Sequence, residues 1–314
     1  MEGSTGRQDA PPPRVQAAES VALPPPRELA LLAVAISAVS TSAPIIASTA
    51  APALAIAFWR NGMASIALLP AALLRSRSEL RRLSNREWLL CLLAGVFLAG
   101  HFATWVPSVR LTSVASATAL VATQPIWAAV LARAAGRRVS RGAWVGILVS
   151  VVGAVLLTGA DLALSGRALL GDLLATVGGA LAAAYVTAGA AVRARVSTTA
   201  YTSVCYTACS ALLLLGCVLG RQRLAGYDAA TWLRLVALTV GAQLLGHSLV
   251  NVVLRSASPT LVSLVILFEV PGASLIAAAW LGQRPTWSAV PGLALLVAGV
   301  GLVVRAGARA VPVE

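Results

Sequence analysis

Residues 258–283 read SPTLVSLVILFEVPGASLIAAAWLGQ. The run has roughly the length that crosses a bilayer, and it holds one carboxylate, Glu269, near its middle, with Pro271 two residues on. An ionised carboxylate in hydrocarbon is costly enough that it is normally kept only to face a partner, a cavity or a species in transit. Pro271 has no N–H to give to the carbonyl of Leu267, so a kink is expected that frees a backbone acceptor beside the carboxylate. The stretch therefore reads as a membrane helix with a functional interruption.

The rest of the chain carries the same character. Of its 314 residues 58% are apolar and 11% charged, against about 45–50% and about 25% in soluble domains. Ten apolar segments follow Glu28, at 29–48, 52–74, 87–107, 112–135, 142–160, 170–192, 199–219, 231–253, 257–282 and 286–305. Short connectors leave no room for a soluble domain. The expected fold is an all-α integral membrane protein of ten transmembrane helices. Residues 1–27 (PPPR twice) form a Pro-rich tail without a signal peptide, and 307–314 a C-terminal tail.

The net charge of +13 does not mark a nucleic-acid protein. All the basic residues are arginine and fall mostly in connectors and tails. Assigned to alternate sides, seventeen arginines lie on one side and six on the other, so the positive-inside rule puts both termini in the cytoplasm. With no lysine there is neither a Walker A loop nor a Schiff base. HExxH, GxSxG and paired Asp clusters are also missing, so no enzyme is expected, and Asp161, Asp172 and Asp228 are read as helix-end caps. Cys91, Cys205, Cys209 and Cys217 are read as packing residues; Cys205 and Cys209 lack the ligands a metal needs, and no cofactor is expected.

The two histidines, His101 and His247, are 146 positions apart. The same offset superposes Gly95 on Gly241, Gly100 on Gly246, Pro125 on Pro271, Gly136 on Gly282, Gly146 on Gly292 and Gly153 on Gly299. Each half, 28–161 and 170–306, then holds five helices. An odd number makes the second half enter the membrane from the opposite side, giving two inverted repeats with a site expected between them near the midplane. TQP at 123–125 and EVP at 269–271 are the matching interruptions, with helix-kinking Pro125 and Pro271.

The candidate pathway residues are the polar groups inside these runs. Glu269 is read as a proton-carrying or pathway group, the alternative being a structural pair with an arginine. Arg60 in FWRNGMA is read as a cationic anchor for a substrate carboxylate, the alternative being snorkelling to the interface. His101, His247, Gln124, Thr123, Trp105, Asn251 and Ser248 are placed along the same path, with hydrogen-bonded packing as the alternative for each. GGALAAAYVTAGAA at 178–191 reads as close helix packing.

HFATWVPSVRLTSVASATALVATQPIWAAVLA at 101–132 and GHSLVNVVLRSASPTLVSLVILFEVPGASLIAAAWLGQRPT at 246–286, with FWRNGMA at 58–64 and GDLLATVGGALAAAYV at 171–186, resemble the drug/metabolite transporter superfamily. The branch resembled is the one built from two EamA domains, over about residues 29–306. The resemblance implies ten helices, cytoplasmic termini and an alternating-access carrier of the cytoplasmic membrane that exports amino acids, metabolites or drugs. Two departures stand out: Val270 separates the acid from Pro271, and Gln283 stands where relatives carry an acid. The partners expected are a small-molecule substrate and the lipid bilayer, with a homodimer left open. An uncoupled exchanger, or a membrane enzyme or assembly partner, is the alternative.

Overall fold

The computed structural model describes residues 25–136, 138–162, 165–193, 195–246, 249 and 266–308. Within these the backbone is helix and turn, with no strand. Pro26 opens α1 (Pro26–Ser40), where its missing N–H is no loss. A turn at Thr41 leads into α2 (Ser42–Ser48), then α3 (Ala53–Arg75) and the short α4 (Arg77–Arg82). Ser84 and Glu87 form a reciprocal capping box at the start of α5 (Asn85–Ser108). Ser113 caps α6 (Val114–Val121), which a turn joins to α7 (Gln124–Ala134). Then come α8 (Arg141–Leu162), α9 (Gly166–Arg193) and α10 (Thr198–Leu219), the last capped by Ser197. Asp228 accepts from Thr231 N–H to begin α11 (Ala229–Ala237), which runs on as π-helical turns over Leu238–Gly246. The chain ends with α12 (Glu269–Leu281) and α13 (Val290–Ala308).

Seven helical stretches among the described residues are long and apolar enough to cross a membrane: Pro26–Ser48, Ala53–Arg75, Asn85–Ser108, Val114–Ala134, Gly166–Arg193, Thr198–Leu219 and Ala229–Gly246. Three shorter apolar helices, Arg141–Leu157, Glu269–Leu281 and Val290–Ala306, stand where the fifth, ninth and tenth spans are expected. Large apolar side chains cover the outside, among them Leu74 at 85%, Leu275 at 71% and Ile66 at 69% exposure. Such a surface suits hydrocarbon and would be a liability in water.

Hydrogen bonds between connectors sort them to two ends, as alternate crossings require. At one end Arg110 donates to Ala51 O, Trp59 to Leu224 O, Arg234 to Ser48 O, and Val114 N–H to Gln283 Oε1. At the other, Ser197 donates to Glu79 and Ser140 to Ala306 O.

The offset of 146 is built into the packing. α8 and α13 cross so closely that a Cβ on Gly146 would stand 2.7 Å from Gly299 O and from Val303 N, and one on Gly292 would stand 2.6 Å from Leu157 N and 2.9 Å from Gly153 O. Shifting the first contact set by 146 gives the second: Gly146 becomes Gly292, Val303 answers to Leu157, and Gly299 to Gly153. Ser150 Oγ donates to Leu296 O, which is 146 positions on. An interface that maps onto itself in this way is what a pseudo-twofold axis between inverted halves produces. Further out, Gly100 packs on Leu181 while Gly246 packs against Ala35 and Val39, and Ala35 is the register partner of Leu181. Gly136 and Gly282, another pair, both take the left-handed conformation (φ 81° and 68°) just past the ends of α7 and α12.

Candidate functional site

Both interruptions in the chain fall at one place, and both differ from the proline kink the sequence suggests. α6 ends in a turn at Ala122 and Thr123, and α7 starts at Gln124, with Pro125 its second residue. In the second half a turn at Leu267 and Phe268 precedes α12, which starts at Glu269 with Pro271 third. Each proline therefore lies in a first turn, where its lack of an N–H costs nothing. Leu267 O is not left free: it accepts from Val270 N–H at 3.2 Å. Because the second break comes one residue earlier in register, Glu269 is the positional counterpart of Gln124, not of Thr123. Both residues begin a half-helix, whose N-terminus carries partial positive charge.

Gln124 and Glu269 both face a cavity of about 330 Å³ lined from α1, α2, α3, α5, α9, α10, the π-helical segment and both breaks. Thr123 does not line it; its hydroxyl donates to Leu120 O at 2.6 Å and so serves the turn. Three register pairs do line it: Val39 with Tyr185, Arg60 with Tyr206, and Val121 with Leu267. The cavity therefore lies at the pseudo-twofold axis, between the repeats.

Arg60 is the cation of the site. It is 2% exposed, so it does not snorkel. Its Nε donates to Gln243 Oε1 at 2.6 Å and its Nη1 to Ser42 Oγ at 3.0 Å. The guanidinium lies 4.7 Å from the Phe102 ring centre and 5.9 Å from that of Trp105, within the range of cation–π attraction. Among the described residues its hydrogen bonds go to neutral groups, which leaves guanidinium N–H groups for a ligand. Glu269 shares the cavity and interacts with Arg60 through the field between them. Among the described residues its carboxylate accepts no hydrogen bond. Among the described residues it forms no ion pair with an arginine within salt-bridge distance.

His101 Nδ1 lies 2.9 Å from Gly178 O, so this nitrogen carries the proton and the neutral ring keeps Nε2 as an acceptor. The ring stacks on Trp105 at 5.7 Å and 11°. Gly178 makes the approach possible, since a Cβ there would stand 3.2 Å from Thr104 Oγ1 and Trp105 Cβ. His247, Ser248 and Asn251 lie outside the described residues.

The structure adds Ser42, Phe102, Tyr185, Tyr206 and Gln243 to the walls. The register offered a signal for one of them, because Tyr206 answers to Arg60. One expectation is corrected. Asp172 is no cap: it lies seven residues into α9 and is 2% exposed, so Glu269 is not the only acid within the helices. Asp228, by contrast, is a cap. The four cysteines are free thiols buried in the packing, and no metal-ligating cluster occurs among the described residues.

Two inverted helical repeats around a central, mostly apolar cavity that holds Arg60 and Glu269 define an integral membrane protein of the carrier type. The EamA-like transporter family matches residues 28–159 and 169–305, and the chain belongs to that family of membrane transporters. Among curated proteins no sequence matches it significantly. A solved structure described only as "Crystal structure of protein" is 21% identical, covers 88% of this chain and 96% of its own, and superposes with a TM-score of 0.62. At that identity the likeness shows the fold alone.

Proposed function

We propose that the protein is a secondary transporter that exports a small metabolite, amino acid or drug across the cytoplasmic membrane by alternating access. Both termini are cytoplasmic in this reading, on the strength of the arginine count. The observation that carries it is the 330 Å³ cavity between the repeats, whose lining brings together the buried cation of Arg60 and the carboxylate of Glu269. A solute carboxylate would be held by the free N–H groups of Arg60 and the N-terminus of α7. Phe102 and Trp105 give apolar surface to its body. Glu269 is the proton-responsive group: protonation removes the cavity's one carboxylate charge, so proton and solute occupancy are linked through Arg60.

A thermal-shift screen of the purified protein against a metabolite library supplies the solute, since a ligand of the folded state raises apparent stability. Wild type and Glu269→Gln are then reconstituted in liposomes with an imposed pH gradient. Gradient-driven flux is expected in the wild type and is lost in the variant, which keeps solute exchange. Flux that follows the gradient equally in both removes Glu269 from the coupling, and flux indifferent to pH in the wild type makes the protein an uncoupled exchanger.

A further inference from the structure

The connector between α3 and α5 holds a second recess with different chemistry. Leu73, Leu74, Arg75, Arg77, Ser78, Arg81 and Arg82 line an open cleft of about 680 Å³. The four arginines are exposed, and α4 buries none of its residues. The nearby carboxylates are engaged elsewhere. Glu79 accepts from Ser197 N–H and Oγ–H at 2.6 Å each, and Glu87 accepts from Ser84 N–H and Oγ–H at 2.8 Å each. Among the described residues the cleft thus keeps four formal positive charges without a paired acid, and the Glu79 bonds hold α4 against the cap of α10.

One wall of the cleft is apolar. Leu73 is 51% and Leu74 85% exposed on the last turn of α3. A soluble anion or an acidic peptide would satisfy the arginines and leave the leucines in water. A molecule with a phosphodiester at one end and hydrocarbon at the other satisfies both.

We propose that the cleft at α4 is a binding site for a phospholipid with a net negative head group, the phosphate held by Arg77, Arg81 and Arg82 and an acyl chain laid over Leu73 and Leu74. Native mass spectrometry of the full chain in detergent tests this, with phosphatidylglycerol and phosphatidylcholine of the same acyl chains as probes. Retention of phosphatidylglycerol over phosphatidylcholine is expected. Arg77→Gln/Arg81→Gln/Arg82→Gln lowers that preference by roughly tenfold or more, each surface arginine contributing on the order of fivefold. Arg133→Gln/Arg141→Gln, on another connector of the same end, keeps it. If the triple variant does not fold, Arg81→Gln alone is read in the same assay for a loss of about fivefold. Equal retention of the two lipids, or a preference that survives substitution of the cleft arginines, overturns the proposal. Displacement of the lipid by equimolar glycerol phosphate would make this a site for soluble phosphate esters and also overturn it. None of these readouts involves solute flux, so failure here and failure of the transport reading are separate.

Discussion

Replacing Gly146 by alanine puts a methyl group where the backbone of α13 already is. Its Cβ would lie 2.7 Å from Gly299 O and Val303 N, and these are main-chain atoms that cannot rotate away. The helices must part by roughly 0.7 Å to restore van der Waals separation. Overpacking of this kind costs about 1–3 kcal/mol, while alanine regains about 0.8–1 kcal/mol of helix propensity, so the net loss is about 0–2 kcal/mol. Gly216→Ala is the control, because nothing lies within 4 Å of its Cβ position in α10, and only the propensity gain applies. The two differ by roughly 2 kcal/mol, or about 4 °C in Tm for a chain of this size. Gly292→Ala should fall with Gly146→Ala, since Gly292 faces Leu157 N and Gly153 O in the same geometry. A thiol-reactive dye that reports exposure of the four buried cysteines on heating reads all three variants. Gly146→Ala melting with Gly216→Ala, or only one of the register pair losing stability, would refute the self-matching interface and with it the inverted repeat.

Two other outcomes follow from the geometry. Arg60→Lys keeps the charge and loses the planar fork over Phe102, so binding of the solute found by thermal shift weakens about tenfold or more by isothermal titration; unchanged affinity removes Arg60 from the site. Asp228, outside the membrane spans, has its carboxyl held below the usual aspartate value by its hydrogen bonds to Thr231. A depressed value means that the cap contributes fully above about pH 4 and is lost as pH falls through the folded value, so the Tm gap between wild type and Asp228→Ala is open at pH 7 and closes at lower pH.

The repeat was legible because its markers are scarce. Two histidines and a proline in one register are hard to place by chance, and two of the five glycine pairs that share it, Gly146 with Gly292 and Gly153 with Gly299, are pressed between α8 and α13. Arg60, Glu269, Gln124, His101 and Trp105 were legible for another reason: a polar group inside an apolar run is expensive, and all five meet at the cavity. Tyr185, Tyr206 and Phe102 carry no such cost and are invisible to that test, although Arg60 shifted by 146 lands on Tyr206. Asp172 was misread because its distance from the end of an apolar run does not reveal where the helix starts; α9 begins at Gly166. The breaks come before the prolines, at 122–123 and 267–268 and not at Pro125 and Pro271, since a proline fixes where a helix can begin as readily as where it bends.

The central claim is that the cavity between the repeats opens to either side of the membrane. Val121→Cys, on a background with the four native cysteines replaced, puts one thiol in the cavity wall. A membrane-impermeant thiol reagent is applied to vesicles of each orientation, with and without solute. Alternating access predicts labelling from both faces and protection by solute on both. Labelling from one face only, whatever the solute, would contradict it.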